Sequence, residues 1–303
     1  MPQILLQLLP IFVYIALGIL IREKGLADKS HGDFLLRLVF FVTLPLLILG
    51  SVSQVEFTTQ KAILPLLNIL VNFCCFGVAT LLCRSAKLNR AATGSVLVST
   101  SIINNAFMFP FVLAVYGAEG FADSVLWDFG NAIMTATFIY AVALHHGGKG
   151  SDAATMIRRI VFSPLVWALA VSVALALSNT PMPAMVSTII TPLGQMTAPL
   201  ILIAMGIHTT LRIQNPGLAL KVAGIRMLFG LMVGLLLATL FGLEGTTFKV
   251  VVLCSAAPIG FMALAYSSLA KLDTELTSGA VSLSILAGIV WIPLMVLLLE
   301  QFA

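Results

Sequence analysis

What most limits the folds open to this chain is the length of its stretches without a charged side chain. They run Met1–Ile21, Leu38–Val55, Ala62–Cys83, Ala91–Ala118, Ser124–Gly148 (holding only Asp128), Ile160–Leu211, Met227–Leu243, Val250–Ala270 and Leu276–Leu299. A helix needs about 20 apolar residues to cross roughly 30 Å of hydrocarbon, and these stretches are of that size or longer. With 60% hydrophobic and 9% charged residues and a mean hydropathy of +1.09, a water-soluble globule is excluded. The run Ile160–Leu211 is too long for one crossing, and its turn-forming segment Ser178-Asn179-Thr180-Pro181-Met182-Pro183 divides it. Ten spans are expected. Runs such as Leu231–Phe241 and Val290–Leu299 do not alternate apolar with polar residues, so helices rather than barrel strands are predicted. The first span, Ile4–Ile21, lacks a basic leader and a small-residue cleavage site, and is expected to stay as the first helix.

Charge sets the orientation. The odd-numbered connections hold Arg22, Lys24, Lys29, Arg84, Lys87, Arg90, Lys149, Arg158, Arg159, Arg212, Lys221 and Lys271, and Arg37 and Arg226 are expected to snorkel to the same surface. The even ones hold only Lys61 and Lys249. The positive-inside rule makes the basic side cytoplasmic and puts both termini on the other side. A pI near 9.0 then reflects attraction to anionic membrane lipids, and no nucleic-acid partner is implied.

The long polar connection His145–Arg159 stands at mid-chain, which predicts halves at residues 1–148 and 160–303 joined by a cytoplasmic linker at 149–159. Thr43-Leu44-Pro45-Leu46-Leu47-Ile48-Leu49-Gly50 matches Thr197-Ala198-Pro199-Leu200-Ile201-Leu202-Ile203-Ala204 at an offset of 154 residues. Five spans per half is an odd number, so the halves are expected to be inverted repeats. The fourth span carries an interruption at Asn104–Pro110, and the ninth, its counterpart, carries one at Ser255–Gly260. Paired interruptions in inverted repeats are the sequence sign of a transporter's binding site.

Proline within a helix frees backbone groups, and in lipid such groups are tolerated only where they face protein or a watery cavity. Two crossed breaks would make that cavity, with half-helix N-termini aiming partial positive charge at a carboxylate. Asn104, Asn105 and Pro110 in the fourth span, and Pro258, Ile259 and Gly260 in the ninth, are therefore candidate substrate-binding residues. Asn131 in the fifth span joins them. Asp128, one turn from Asn131, is a candidate for coupling, because an acid inside a span is a functional candidate by default. The four cysteines, Cys74, Cys75, Cys83 and Cys254, lack CxxC spacing and histidine neighbours and are expected to be small core residues. No metal site or cofactor is implied. An intramembrane protease would need paired aspartates, a Ser-His arrangement or HExxH, and with Asp128 as the only well-embedded acid no enzyme is expected.

Taken together, these features resemble the auxin efflux carrier family, as a compact bacterial member, over nearly the whole chain. The best matches are Asn104–Pro110 followed by Val115-Tyr116-Gly117, like the family's Asn-x-Gly-Phe-x-Gly-x-Pro…Tyr-Gly stretch; Ala198-Pro199-Leu200…Met205-Gly206; and Ala256-Ala257-Pro258, with Ser284 and Pro293 in the last span. Ala106 stands where the family often has Gly, Phe109 replaces the second Gly, and Pro110 comes one residue early. The resemblance implies a moving, elevator-like transport domain of spans three to five and eight to ten, and a scaffold of spans one, two, six and seven, often dimeric. It also implies a small organic anion as substrate, such as auxin or a dicarboxylate, and a place in the bacterial inner membrane. A sodium-coupled bile-acid-type symporter of the same fold, or a membrane sensor that binds without transporting, are the alternative readings.

Overall fold

The computed structural model describes residues 2–54, 56, 58–147, 158, 162–178, 180, 182–208 and 216–301. The expected linker 149–159 lies outside them apart from Arg158, as do Arg212 and the turn residues Asn179 and Pro181. The helices are α1 (Pro2–Glu23), α2 (Lys29–Val52), α3 (Leu64–Ser85), α4 (Arg90–Ser101), α5 (Asn105–His146), α6 (Pro164–Leu177), α7 (Ala184–His208), α8 (Pro216–Leu240), α9 (Gly245–Ser255), α10 (Met262–Leu269) and α11 (Thr274–Gln301). Among the described residues there is no strand beyond one isolated bridge. Among the described residues seven helices, α1, α2, α3, α5, α7, α8 and α11, are long and apolar enough to cross a membrane. Ten were expected from the sequence. α4, α6, α9 and α10 are short, and the 42-residue stretch α5 holds two helices that meet at a kink. It bends at Gly117, whose φ of 61° and ψ of −156° only glycine adopts without strain.

Helix starts follow local chemistry. Asp28 caps α2, accepting hydrogen bonds from the Ser30 and His31 amides at 2.8 and 3.3 Å. Bonds from the Ser30 and His31 side chains hold its carboxyl well below the usual carboxylate range. Asn89 caps α4 through the Ala92 amide at 2.8 Å. Wider π turns interrupt α2 at Val39–Thr43, α5 at Thr135–Ile139 and α8 at Ile225–Phe229. Outward-facing Phe41, Leu81, Met232 and Val290 are each more than 60% exposed, as a lipid-facing surface requires.

By contacts the chain falls into two compact units. The first comprises Met1–Ala62, Ala106–Val125 and Val161–Thr209. In it α1 lies along the second half of α7. There Gly18 meets Gly206 so closely that a Cβ on Gly206 would stand 2.9 Å from Gly18 Cα. Small residues at such crossings let backbones approach and gain dispersion contacts where lipid offers no hydrophobic drive. Leu44–Val52 packs on α6, and Ser172 Oγ bonds both Ala168 O at 2.6 Å and Ile48 O at 3.3 Å. Lys61 is buried and ion-paired with Asp123 at 3.5 Å and Glu119 at 3.2 Å. Asp123 is fully buried, so Asp128 is not the single embedded acid that the charge-free runs suggest. Its place at the edge of a run hides it from that count.

The second unit comprises Ile63–Asn105, Leu126–Ile160 and Thr210–Ala303. Within it α3 packs on α4, the first half of α8 on α11, and the second half of α8 on α9 and α3. Arg226 corrects a sequence expectation. It does not snorkel: its side chain is 0% exposed inside this unit. Cys75, Cys83 and Cys254 are buried as expected, whereas Cys74 is exposed.

Gly206→Leu should lower the melting temperature of the purified protein, because overpacking a close crossing costs about 1–3 kcal/mol. Gly217→Leu, where an added Cβ meets nothing within 4 Å, should leave it unchanged.

Candidate functional site

The second unit contains two places where a helix stops and restarts. α4 ends at Ser101, Ile102 turns extended (φ −116°, ψ 119°), and α5 begins at Asn105. α9 ends at Ser255, and α10 begins at Met262 after Ala256-Ala257-Pro258-Ile259-Gly260-Phe261. The first interruption is Ile102–Asn104, earlier than the Asn104–Pro110 expected from sequence. Pro110 sits inside α5 and is buried. A helix can pass through it with the loss of a single intrahelical bond, that to Ala106. Pro110 belongs to the first unit and the other candidates to the second.

The two extended segments meet in reciprocal backbone bonds. The Asn104 amide donates to Pro258 O at 2.9 Å, the Gly260 amide donates to Ile102 O at 2.9 Å, and Ile103 pairs with Ile259 as an antiparallel bridge. A buried amide left over on each segment finds a side chain. The Ile103 amide donates to Asn131 Oδ1 at 3.2 Å, and the Ile259 amide donates to Ser284 Oγ at 3.1 Å. Gly260 is required here, since a Cβ on it would come within 2.7 Å of Ile103 O. Pro258 supplies a carbonyl acceptor, and having no amide hydrogen it needs no partner for one.

Asn105, Asp128 and Asn131 form one network. Asp128 Oδ1 accepts from Asn105 Nδ2 at 2.6 Å and from Asn131 Nδ2 at 2.9 Å, and Thr135 Oγ1 lies 3.5 Å from Asn131 Oδ1. Asp128, Asn131 and Thr135 share one face of α5, as their spacing dictates. Asp128 is half-buried, while Asn104, Asn105 and Asn131 are buried. The Oγ atoms of Ser99 and Ser101 and Oδ1 of Asn105 are buried with no hydrogen-bond partner. The structure thus brings together Asn104, Asn105, Asp128, Asn131, Pro258, Ile259 and Gly260, and adds Ser284. Chemically this is a set of neutral donors and acceptors around backbone dipoles with a single carboxylate. Among the described residues no cluster of His, Cys, Asp or Glu is able to hold a metal ion.

Sequence reasoning missed Arg226. Its Nη1 donates to Asn72 Oδ1 at 2.7 Å and lies 3.4 Å from Thr100 O, and its Nη2 donates to Ser255 O at 3.0 Å. One signal was available: Asn72 and Arg226 are 154 residues apart, the offset of the repeated Thr43–Gly50 segment.

Apolar helices with an outward hydrophobic surface and a polar, helix-breaking interior define a multi-pass membrane protein. The chain matches the model of the membrane transport protein family over residues 3–296 and belongs to that family, which is the auxin efflux carrier family. It is also 24% identical over 291 residues to an "Uncharacterized transporter" of Methanothermobacter thermautotrophicus, covering 94% of this chain and 95% of that protein. This is a family of transporters, which are not normally enzymes.

Ser284→Ala should cost about 1–3 kcal/mol by leaving the buried Ile259 amide without an acceptor, seen as a lower melting temperature. Ser284→Thr, which keeps the oxygen, should recover most of it.

Proposed function

We propose that this protein is an alternating-access carrier that moves small organic anions, carboxylates in particular, outward across a bacterial inner membrane. The observation that carries the reading is the reciprocal bonding of two interrupted segments, Ile102–Asn104 and Pro258–Gly260, beside asparagine amides. Half-helix N-termini such as that of α5 offer partial positive charge to an anion, and the partnerless Asn105 Oδ1 favours a polar solute.

In this reading the ten crossings are α1, α2, α3, α4 with the start of α5, the rest of α5 after Gly117, α6, α7, α8, α9 with α10, and α11. The halves are inverted repeats with crossed broken helices four and nine. Support comes from the matching offsets of Asn72 and Arg226 and of the two proline segments. The capped amides support it too, since Ile103 with Asn131 and Ile259 with Ser284 recur at nearly the same spacing. The scaffold is α1, α2, α6 and α7 and the transport domain is the rest. The contact-defined units favour that division, except that Ala106–Val125 groups with the scaffold helices. The working form is a homodimer in lipid. Both termini face away from the cytoplasm, and the two lysines on that side, Lys61 and Lys249, are each held by carboxylates, Lys249 by Glu300 at 2.8 Å. The other fourteen basic residues then belong to the cytoplasmic side, as the positive-inside rule asks.

Purified protein in liposomes should carry mono- or dicarboxylates. A correctly folded preparation that moves none of them, beside an active control carrier, overturns the proposal. Binding without flux would instead mark a sensor. Asn105→Ala should weaken the best substrate about 10- to 100-fold, the effect of losing a hydrogen bond to a charged group, measured as the concentration for half-maximal flux. An unchanged value removes Asn105 from the site.

A further inference from the structure

Arg226 is a fully buried guanidinium with no ion-paired carboxylate among the described residues. A lone charge in such surroundings is costly unless something of opposite sign replaces water. The three oxygens facing it explain how it is kept. Thr100 O and Ser255 O belong to the last turns of α4 and α9, where carbonyls have no intrahelical partner. Each helix C-terminus acts as about half a negative charge, so two converging ends roughly match one guanidinium. Asn72 Oδ1 supplies a third acceptor and is itself oriented by its neighbour: Asn72 Nδ2 donates to Asn68 Oδ1 at 2.8 Å. The chain also makes room for the group. A Cβ on Gly230 would come within 2.6 Å of both Arg226 Nη2 and Ser255 O, and the π turn Ile225–Phe229 carries the side chain.

We propose that Arg226 is a tethered cation that holds the C-terminal ends of α4 and α9 together and fills an oxygen-lined position suited to a monovalent metal ion, so that the protein works without sodium. The geometry has the requirements of such a position: neutral oxygen ligands, two helix ends of negative sign, and burial. With the positive charge attached covalently, no alkali ion is needed to join the two interrupted helices. Arg226 acts as a positioning residue, since it lies at the C-terminal ends of the helices that lead into the two breaks, whereas an anion is expected at the N-terminal ends of the helices that follow them. The transport consequence rests on the carrier reading above, and the stability consequence does not.

The test uses full-length protein in detergent and in liposomes, with sodium chloride compared against choline chloride at equal ionic strength. Wild-type melting temperature and carboxylate flux should be the same in both salts. Arg226→Lys should stay near wild type. Arg226→Gln should melt several degrees lower in choline, and Arg226→Ala should regain stability when methylguanidinium or sodium is added, while Gly217→Leu shows no such response. A wild type stabilised or driven by sodium overturns the proposal, as does Arg226→Gln matching Arg226→Lys in choline. If Arg226→Ala and Arg226→Gln do not fold, their recovery only from preparations containing methylguanidinium supports it, and no recovery there overturns it. Absence of flux in every variant, with the stability pattern intact, would remove the carrier reading and leave Arg226 as the tethered cation.

Discussion

Hydrocarbon offers a peptide group nothing to bond to, so every interruption of a helix must bring its own partners. The arrangement of the second unit follows from that one demand. Where α4 stops, Ile102 O and the amides of Ile103 and Asn104 are left without helical partners, and all three are satisfied by Gly260, Asn131 and Pro258. Two breaks that complete each other in this way stabilise a feature that either alone would make costly. The side chains nearby, Asn131 and Ser284, finish what the backbone does not.

The same logic separates two kinds of charge. Glycine and proline place backbone ends close together, and the sign of the helix dipole decides what belongs at each. At the C-terminal ends of the helices entering the breaks, the oxygens of Thr100 and Ser255 take Arg226. Near the restart of α5 the Asn105 and Asn131 amides turn to Asp128. Arg226 follows Asn72 by 154 residues, and in the proposed inverted repeat the two would occupy matching positions that differ in charge.

Much of this was legible in the residues. Charge-free runs foretold apolar helices because the hydrocarbon thickness fixes their length, and Asn104, Asn105 and Pro258 marked where regular structure gives way. Pro110 misled by a few positions, since proline signals a lost bond without saying whether the helix stops or continues. Gly117, which bends α5, carries no such signal until its φ is seen. Arg226 and Asp123 escaped for a shared reason. Both lie near the ends of apolar runs, where sequence equates proximity to a charged loop with access to water, and only packing shows that the surroundings are closed.

Asp128 has a consequence for any anion that enters the proposed carrier. The two amides best suited to grip a carboxylate already grip one that belongs to the protein. Occupancy would therefore be an exchange between rivals of like chemistry, with hydrogen bonds surrendered by Asp128 as the newcomer acquires them. Such a swap contributes little net attraction by itself. Discrimination among solutes would then fall to the fit of their carbon skeletons against Ile103, Ile259 and the neighbouring backbone, and to how readily Asp128 yields.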